Sequence, residues 1–362
     1  MNETSPDQPI KTEQRSPDDH AEEVAPGILR IMLPIDMPGL GHVNCYVLED
    51  DRGLALVDPG LADGVSHQVL ANSLAEVGLD ILRVHTVVVT HSHFDHFGGL
   101  ARLQAIETVQ PVEVIGFRGF GSGWHHAYGE ILEEQDSSAL LARTPAEIAD
   151  VAARLVRPTP WGQPTDPFSS ESLVEWSEGI DAIDVLRPPN VTREVDDGDV
   201  VALGGRDWVV IHTPGHADDH LCLWNEDEGV LLSGDHVLPT ITPHISGLSH
   251  HADPLHVFFE SLERIEALEG STAVLPAHGD PFVDAAGRSR SIREHHVGRL
   301  ERLRDIGTEI GQQPVDNYMK LLFRERSWGN MAASETYAHL EWLRIHDGAT
   351  RYEAGGILRY EV

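Results

Sequence analysis

Four side chains able to bind a divalent cation fall within six residues of this chain, in Thr90-His91-Ser92-His93-Phe94-Asp95-His96. Three imidazoles and one carboxylate are the donor set that borderline-soft ions such as zinc select. The run follows the β-branched stretch 84–89, so the donors sit where a buried strand should end. The spacing fits one sharp loop, with His91 and His93 facing one way and Asp95 and His96 another. Such a loop can serve two ions side by side. A histidine-rich surface loop is the plain alternative, but a strand feeding straight into a dense His/Asp loop has no packing purpose.

Three more donors follow apolar runs in the same manner. His216 closes Thr213-Pro214-Gly215-His216, Asp235 lies in Ser233-Gly234-Asp235-His236, and His278 in Ala277-His278-Gly279. Strand ends join a rigid backbone to a loop that is free to turn, which suits chemistry. Gly215, Gly234 and Gly279 permit the close turns that converging donors need.

The elements that must position these donors can be read from periodicity. Strands are expected at 28–33, 44–48, 54–57, 84–89, 112–115, 208–212, 221–224, 230–232 and 273–275. The run 54–57 ends in Asp58-Pro59-Gly60. Residues 65–77 have apolar positions at helical spacing, with Gly78 as the stop. Thr144-Pro145-Ala146-Glu147 has the form of a capping box with proline in the first turn, predicting a helix to about residue 156. A second helix is expected near 171–176. Another opens at Asp253-Pro254 and runs to about 268, and helices at 292–306, 317–323 and 334–345 precede a strand pair at 350–360.

Together these residues resemble the metallo-β-lactamase fold superfamily. Its five motifs occur in order: Asp58; His91-x-His93-x-Asp95-His96; His216; Asp235; His278. The resemblance covers residues 28–285. It implies an α/β fold, an αββα sandwich with the site at one edge of two packed sheets. It also implies that His91, His93 and His216 hold one metal, that Asp95, His96 and His278 hold a second, that Asp235 bridges them, and that Asp58 orients a ligand imidazole. Two Zn2+ per chain are the expected cofactors, with Fe or Mn suited to the same donors. Ions about 3.5–4 Å apart can share a water and lower its pKa, giving a bridging hydroxide that attacks a carbonyl or phosphoryl centre. Asp95 is the expected catalytic carboxylate, shuttling the proton. His93 at a position where the di-iron oxygen-reducing branch has Glu argues against that branch.

Pro214-Gly215-His216-Ala217-Asp218-Asp219-His220, Ile292-Arg293-Glu294-His295-His296 with Arg299, and Ala338-His339-Leu340 with Leu343 are similar to the β-lactamase-like protein 2 branch, near glyoxalase II-type enzymes. That likeness implies a C-terminal winged-helix-like appendage. It favours hydrolysis of acyl thioesters or esters. The basic residues that grip glutathione in glyoxalase II have no match here. A lactonase or β-lactamase-like amide hydrolase, a mononuclear iron persulfide dioxygenase and a metal-dependent ribonuclease are the alternatives.

Composition narrows the partners. The 362 residues carry 26 Lys+Arg against 59 Asp+Glu, a net charge of −33, and 41% are hydrophobic. Lys11 and Lys320 are the only lysines. Residues 281–362 hold 12 basic and 12 acidic side chains, leaving 14 and 47 in the first 280. A surface this acidic repels nucleic acid and anionic membranes. The expected partner is a small acyl substrate, with no nucleic acid, no membrane and a homodimer as one option. Cys45 and Cys222 read as small core residues rather than a disulfide. Without an 18-residue apolar stretch or a signal pattern, a cytoplasmic protein is expected.

The domain reading is a disordered tail at 1–24, a catalytic domain at 25–285 and a helical or winged-helix-like region at 286–362. A helical cap insertion at 117–190 is expected to bring aromatic side chains over the metals. Trp124 and His125 are its candidate pocket walls. His236, His244, His250 and His251 read as solvated loop residues, and His295-His296 as helix packing.

Overall fold

The apolar runs become the central strands of two packed sheets in a computed structural model, which describes residues 11–18, 20–37, 39–124, 126, 144–165, 171, 173–174 and 186–362. The first sheet contains β1 (Ala21–Ala25), β2 (Ile28–Met37), β3 (Leu40–Asp50), β4 (Gly53–Val57), β5 (Val84–Val88) and β6 (Glu113–Phe117). A two-strand ribbon of β7 (Arg157–Pro158) and β8 (Pro164–Thr165) precedes β9 (Arg193–Val195), which completes that sheet in the order β1-β2-β3-β4-β5-β6-β9. Its first four strands are antiparallel; β4, β5, β6 and β9 are parallel. The second sheet runs β10 (Val200–Leu203), β11 (Arg206–His212), β12 (Leu221–Asn225), β13 (Val230–Gly234), β14 (Ala273–Pro276), with only β13–β14 parallel.

Alternation along the strands divides the core into layers. On β4, Ala55 and Val57 join Tyr46, Val88, Trp208, Leu223 and Leu232 between the sheets. Leu54 and Leu56 face the other way, against Leu70 and Leu74 of the helix Gly64–Glu76 and Leu100 and Leu103 of Gly99–Ala105. The outer face of the second sheet is covered by Leu255, Phe258 and Leu262 of the helix Pro254–Glu266. The αββα sandwich is thus the observed architecture. Two helices have clear local starts: Asp63 accepts the Ser66 amide to open Gly64–Glu76, and Thr144 with Glu147 forms the expected capping box of Pro145–Leu155.

The C-terminal helices Ala285–Ile310, Val315–Leu322 and Asn330–His346 accompany a small sheet ordered β15 (Gln313–Pro314), β17 (Ile357–Glu361), β16 (Thr350–Ala354). They do not form a core of their own. Leu300, Leu303, Tyr318, Leu340 and Leu343 share one cluster with Trp224 and Phe258 of the sandwich. His296 packs edge-on to Phe258, with ring centroids 5.6 Å apart, as expected of a packing residue.

Several expectations change. The stretch taken as a disordered tail is ordered from Thr12: residues Thr12–Gln14 form a 3-10 turn and Ala21–Ala25 pairs with β2, while residues 1–10 lie outside the described residues. Glu13 is fully buried because its carboxylate accepts the amides of Thr240 and Ile241. In the expected cap, the helix Pro145–Leu155 buries Ile148, Val151 and Leu155 in the outer core of the first sheet. Trp161 turns to the C-terminal region, 5.2 Å from the Tyr337 ring. His125 and Trp176 lie outside the described residues. Cys45 and Cys222 are buried and free, and burial raises both thiols, Cys222 to about 12.

Candidate metal centre

Every candidate donor lies just beyond the C-terminal end of a strand: Asp58 after β4, His91 after β5, His216 after β11, Asp235 after β13 and His278 after β14. The opening motif is not a plain loop. His91 lies in a bend, His93 on extended chain, and Phe94–Phe97 is one helical turn carrying Asp95 and His96. Two glycines make the approach possible. Gly215 has φ +129, and a Cβ there would meet the Phe258 Cβ at 2.4 Å; at Gly234, φ +49, it would meet His220 Nε2 at 2.5 Å.

The seven side chains converge in two groups, His91, His93, His216 and Asp235 in one and Asp95, His96 and His278 in the other, with the donor atoms of each group mutually within 4.8 Å. In the first, His93 Nδ1 is 2.8 Å from His91 Nε2 and 3.1 Å from His216 Nε2. In the second, Asp95 Oδ2 is 3.5 Å from both His96 Nε2 and His278 Nε2. Asp235 faces both groups, 3.4 Å from His216 Nε2, 3.6 Å from His96 Nε2 and 3.3 Å from His278 Nε2.

The outward nitrogens fix which atom points inward. Nδ1–H of His91 donates to Thr90 Oγ1, that of His96 to Asp58, that of His216 to the His244 carbonyl, and that of His278 to the His42 carbonyl. Each such bond holds a tautomer whose Nε2 lone pair faces the cluster. Asp58 does more than orient one ring. It accepts the Thr90 amide and hydroxyl as well as the His96 Nδ1–H, so it braces His91 through Thr90. Its φ of +54 is a left-handed conformation that Asp tolerates better than most residues.

A metal fits this arrangement on the donor chemistry and on the atoms left over. His96 Nε2, His278 Nε2 and Asp235 Oδ1 are buried with no hydrogen-bond partner. Buried polar atoms without a hydrogen bond are costly, and three of them side by side suit a cation. The electrostatics agree. Burial, then the neighbouring imidazoles, hold His91 far below its ordinary value and His93 at about 3. Burial also opposes charge on His96 and His278. Their carboxylate neighbours reverse this, lifting His96 well above its ordinary value and His278 to about 10. Protons thus stand in for cations in the second group.

Sequence reasoning missed the residues that hold the donors. His220 Nε2 accepts the Asp235 amide, and its Nδ1–H donates to Thr213. Asp219 accepts the amides of Ser92 and Gly121. Asn44 donates to the carbonyls of Pro276 and Gly279 around His278. Trp124 stands against the donor loop, its indole donating to the Ser92 carbonyl at 2.6 Å. His236 is fully buried and the His244 side chain only 16% exposed, against the expectation of solvated loops; His250 and His251 are exposed as expected.

Asp58→Asn tests the bracing role. Asparagine accommodates φ +54 but must present an amide N–H where a carboxylate accepted hydrogens. Metal affinity of the second group should fall by about 10–100-fold in chelator competition. Wild-type affinity would remove Asp58 from the support of the site.

A model of the metallo-beta-lactamase superfamily matches residues 38–278. The chain is 24% identical over 354 residues to the "Probable metallo-hydrolase YqjP" of Bacillus subtilis, spanning 92% of this chain and 97% of that protein. The solved structure of a metallo-beta-lactamase family protein from Thermus thermophilus superposes with a TM-score of 0.72 at 28% identity, covering 93% of this chain and 99% of that one. A human acyl-coenzyme A thioesterase is 30% identical over 149 residues, 41% of this chain and 39% of its own length.

Proposed function

The chain belongs to the metallo-beta-lactamase superfamily, and from that premise we propose that it is a binuclear zinc hydrolase of acyl thioesters or esters. One observation carries the metal part: the buried imidazoles of His96 and His278, whose outward Nδ1–H groups are bonded, turn Nε2 atoms without a hydrogen-bond partner toward Asp235. On this reading His91, His93 and His216 hold one ion, Asp95, His96 and His278 a second, and Asp235 faces both. Iron or manganese suits the same donors. Bound ions would supply Lewis acidity and bring the pKa of water toward neutrality. Burial disfavours the Asp95 charge, but His96 and His278 outweigh it and hold the carboxyl at about 2. Asp95 is therefore ionised at neutral pH. On this reading it would take the proton of the attacking water and hand it to the departing group.

The thioester part is supported by the relatives named as acyl-coenzyme A thioesterases, which match less than half of this chain. A small acyl substrate is the proposed partner. The net charge of −33 sets the chain against nucleic acid. Among the described residues no helix is long and apolar enough to cross a membrane, and the proposed location is the cytoplasm.

Metal analysis with a substrate panel tests the reading. The expected result is two zinc ions per chain and chelator-sensitive turnover of short acyl-CoA thioesters. Turnover of lactones or a β-lactam alone would overturn the thioester assignment. One iron and no zinc would favour persulfide oxidation, and cleavage of single-stranded RNA at low salt a nuclease.

A further inference from the structure

Among the described residues, the C-terminal helices reach the metal centre through the loop at 238–249. His216 is oriented by a backbone carbonyl, that of His244, at 2.7 Å. Residues 238–249 around it contain no helix or strand, so regular hydrogen bonding does not fix that carbonyl. Two neighbouring residues of the helix Asn330–His346 contact the loop beside it. Ser334 Oγ accepts the Gly247 amide at 2.9 Å, and Glu335 Oε2 faces His244 Nδ1 at 3.6 Å. The seat leaves no slack, because a Cβ on Gly247 would meet the Ser334 carbonyl oxygen at 2.6 Å and the Tyr337 ring at 2.8 Å.

Glu335 is itself anchored. It is 7% exposed and ion-paired with Arg299 of the helix Ala285–Ile310. Its backbone carbonyl accepts Nδ1–H of His339, whose Nε2 lies 3.1 Å from His296 Nδ1. Glu335, His296 and His339 have donor atoms within 4.8 Å of one another. Arg299 already neutralises the carboxylate there, so a dication would add buried charge with nothing to balance it. The cluster is a charge-balanced anchor that points at the loop.

We propose that Ser334 and Glu335 are positioning residues of the metal centre: they hold the His244 carbonyl that sets the tautomer and tilt of His216, which makes the C-terminal region a working part of the site. The inference rests on the metal reading above. Carbonyl partners of ligating imidazoles govern metal affinity as well as geometry, and the holders of such a carbonyl act one step further out.

The test uses the full chain and zinc itself. Ser334→Ala, Glu335→Gln and His244→Ala are titrated with Zn2+ against a chromophoric chelator, and the unfolding midpoint of each metal-free protein is measured alongside. One of the two ions should bind more weakly, about threefold for Ser334→Ala and about tenfold for Glu335→Gln. The second ion should keep its wild-type affinity. The metal-free midpoint should stay close to wild type in Ser334→Ala and fall in Glu335→Gln, which leaves Arg299 without its carboxylate, so Ser334→Ala separates metal affinity from loss of fold. In cobalt-loaded protein the visible absorption should shift, and kcat should fall with KM little changed. Wild-type affinity for both ions in Ser334→Ala and Glu335→Gln would overturn the proposal and leave the C-terminal helices as packing alone. Should Glu335→Gln not fold, Ser334→Ala, which loses only a hydroxyl, decides the matter. If the unaltered protein binds no zinc, it is the metal reading that fails, not the contact between loop and helix.

Discussion

Asp95→Ala should lower turnover by about a thousandfold or more, as expected when a donor and a proton carrier are lost together, and should leave one ion bound per chain. Asp95 is 4% exposed and stands between His96 and His278 at 3.5 Å from each. Without it the second group is two imidazoles and the Asp235 carboxylate it shares with the first, a weaker hold on an ion at neutral pH. The fold should survive, because Asp95 belongs to none of the three apolar clusters. Metal content, kcat/KM and near-UV circular dichroism read the three effects separately. Full activity in the variant would take Asp95 out of the reaction.

Asp235→Asn should be the second severe change, with occupancy of both groups reduced and turnover below about 1% of wild type, as for loss of a shared ligand in a two-metal site. Its carboxylate is within 3.6 Å of three imidazoles drawn from both groups. The same substitution has a signature without any metal. Burial opposes charge on His278, while Asp235 foremost, and Asp95, lift it to about 10. A raised imidazole stabilises the folded state fully below its ordinary value of 6.5 and loses that contribution as pH rises through about 10. Asp95, held at about 2, contributes above 3.8 and loses its share as pH falls through about 2. Removing the Asp235 charge lets His278 fall back toward neutrality. The stability advantage of metal-free wild type over Asp235→Asn should therefore be largest below pH 6.5 and vanish near pH 10. Urea midpoints across that range measure it, and a constant difference would contradict the assigned pairing.

The donors were legible in the sequence because His91, His216, Asp235 and His278 each follow an apolar run within a few residues, the last three beside a glycine. The central strands were legible for the same reason. What holds the donors was not. The partners of His216 and His278 are backbone carbonyls, of His244 and His42, and any residue type has one. Glu13 sits in a polar, proline-containing stretch that reads as disordered, yet its amide partners lie 227 and 228 positions away. The short edge strands β9 and β10 have three and four residues, too few to show a period. His236 and His244 were read as solvated because loop position was taken for exposure. Both are covered, His236 beside the Phe258 ring at 5.1 Å and His244 against Glu335.

His91, His93, Asp95 and His96 extend from the first sheet, whereas His216, Asp235 and His278 extend from the second. Neither sheet alone offers a complete cage. On the proposed occupancy the ions act as rivets across the sandwich, and their binding energy is available only to the docked pair. A ligand bound solely by the folded form adds about 2.7 kcal/mol of stability at a hundredfold excess over its dissociation constant. Metal loss would then cost stability as well as activity: the apolar core between the sheets keeps the metal-free chain folded, and its margin against unfolding should grow with the free zinc concentration.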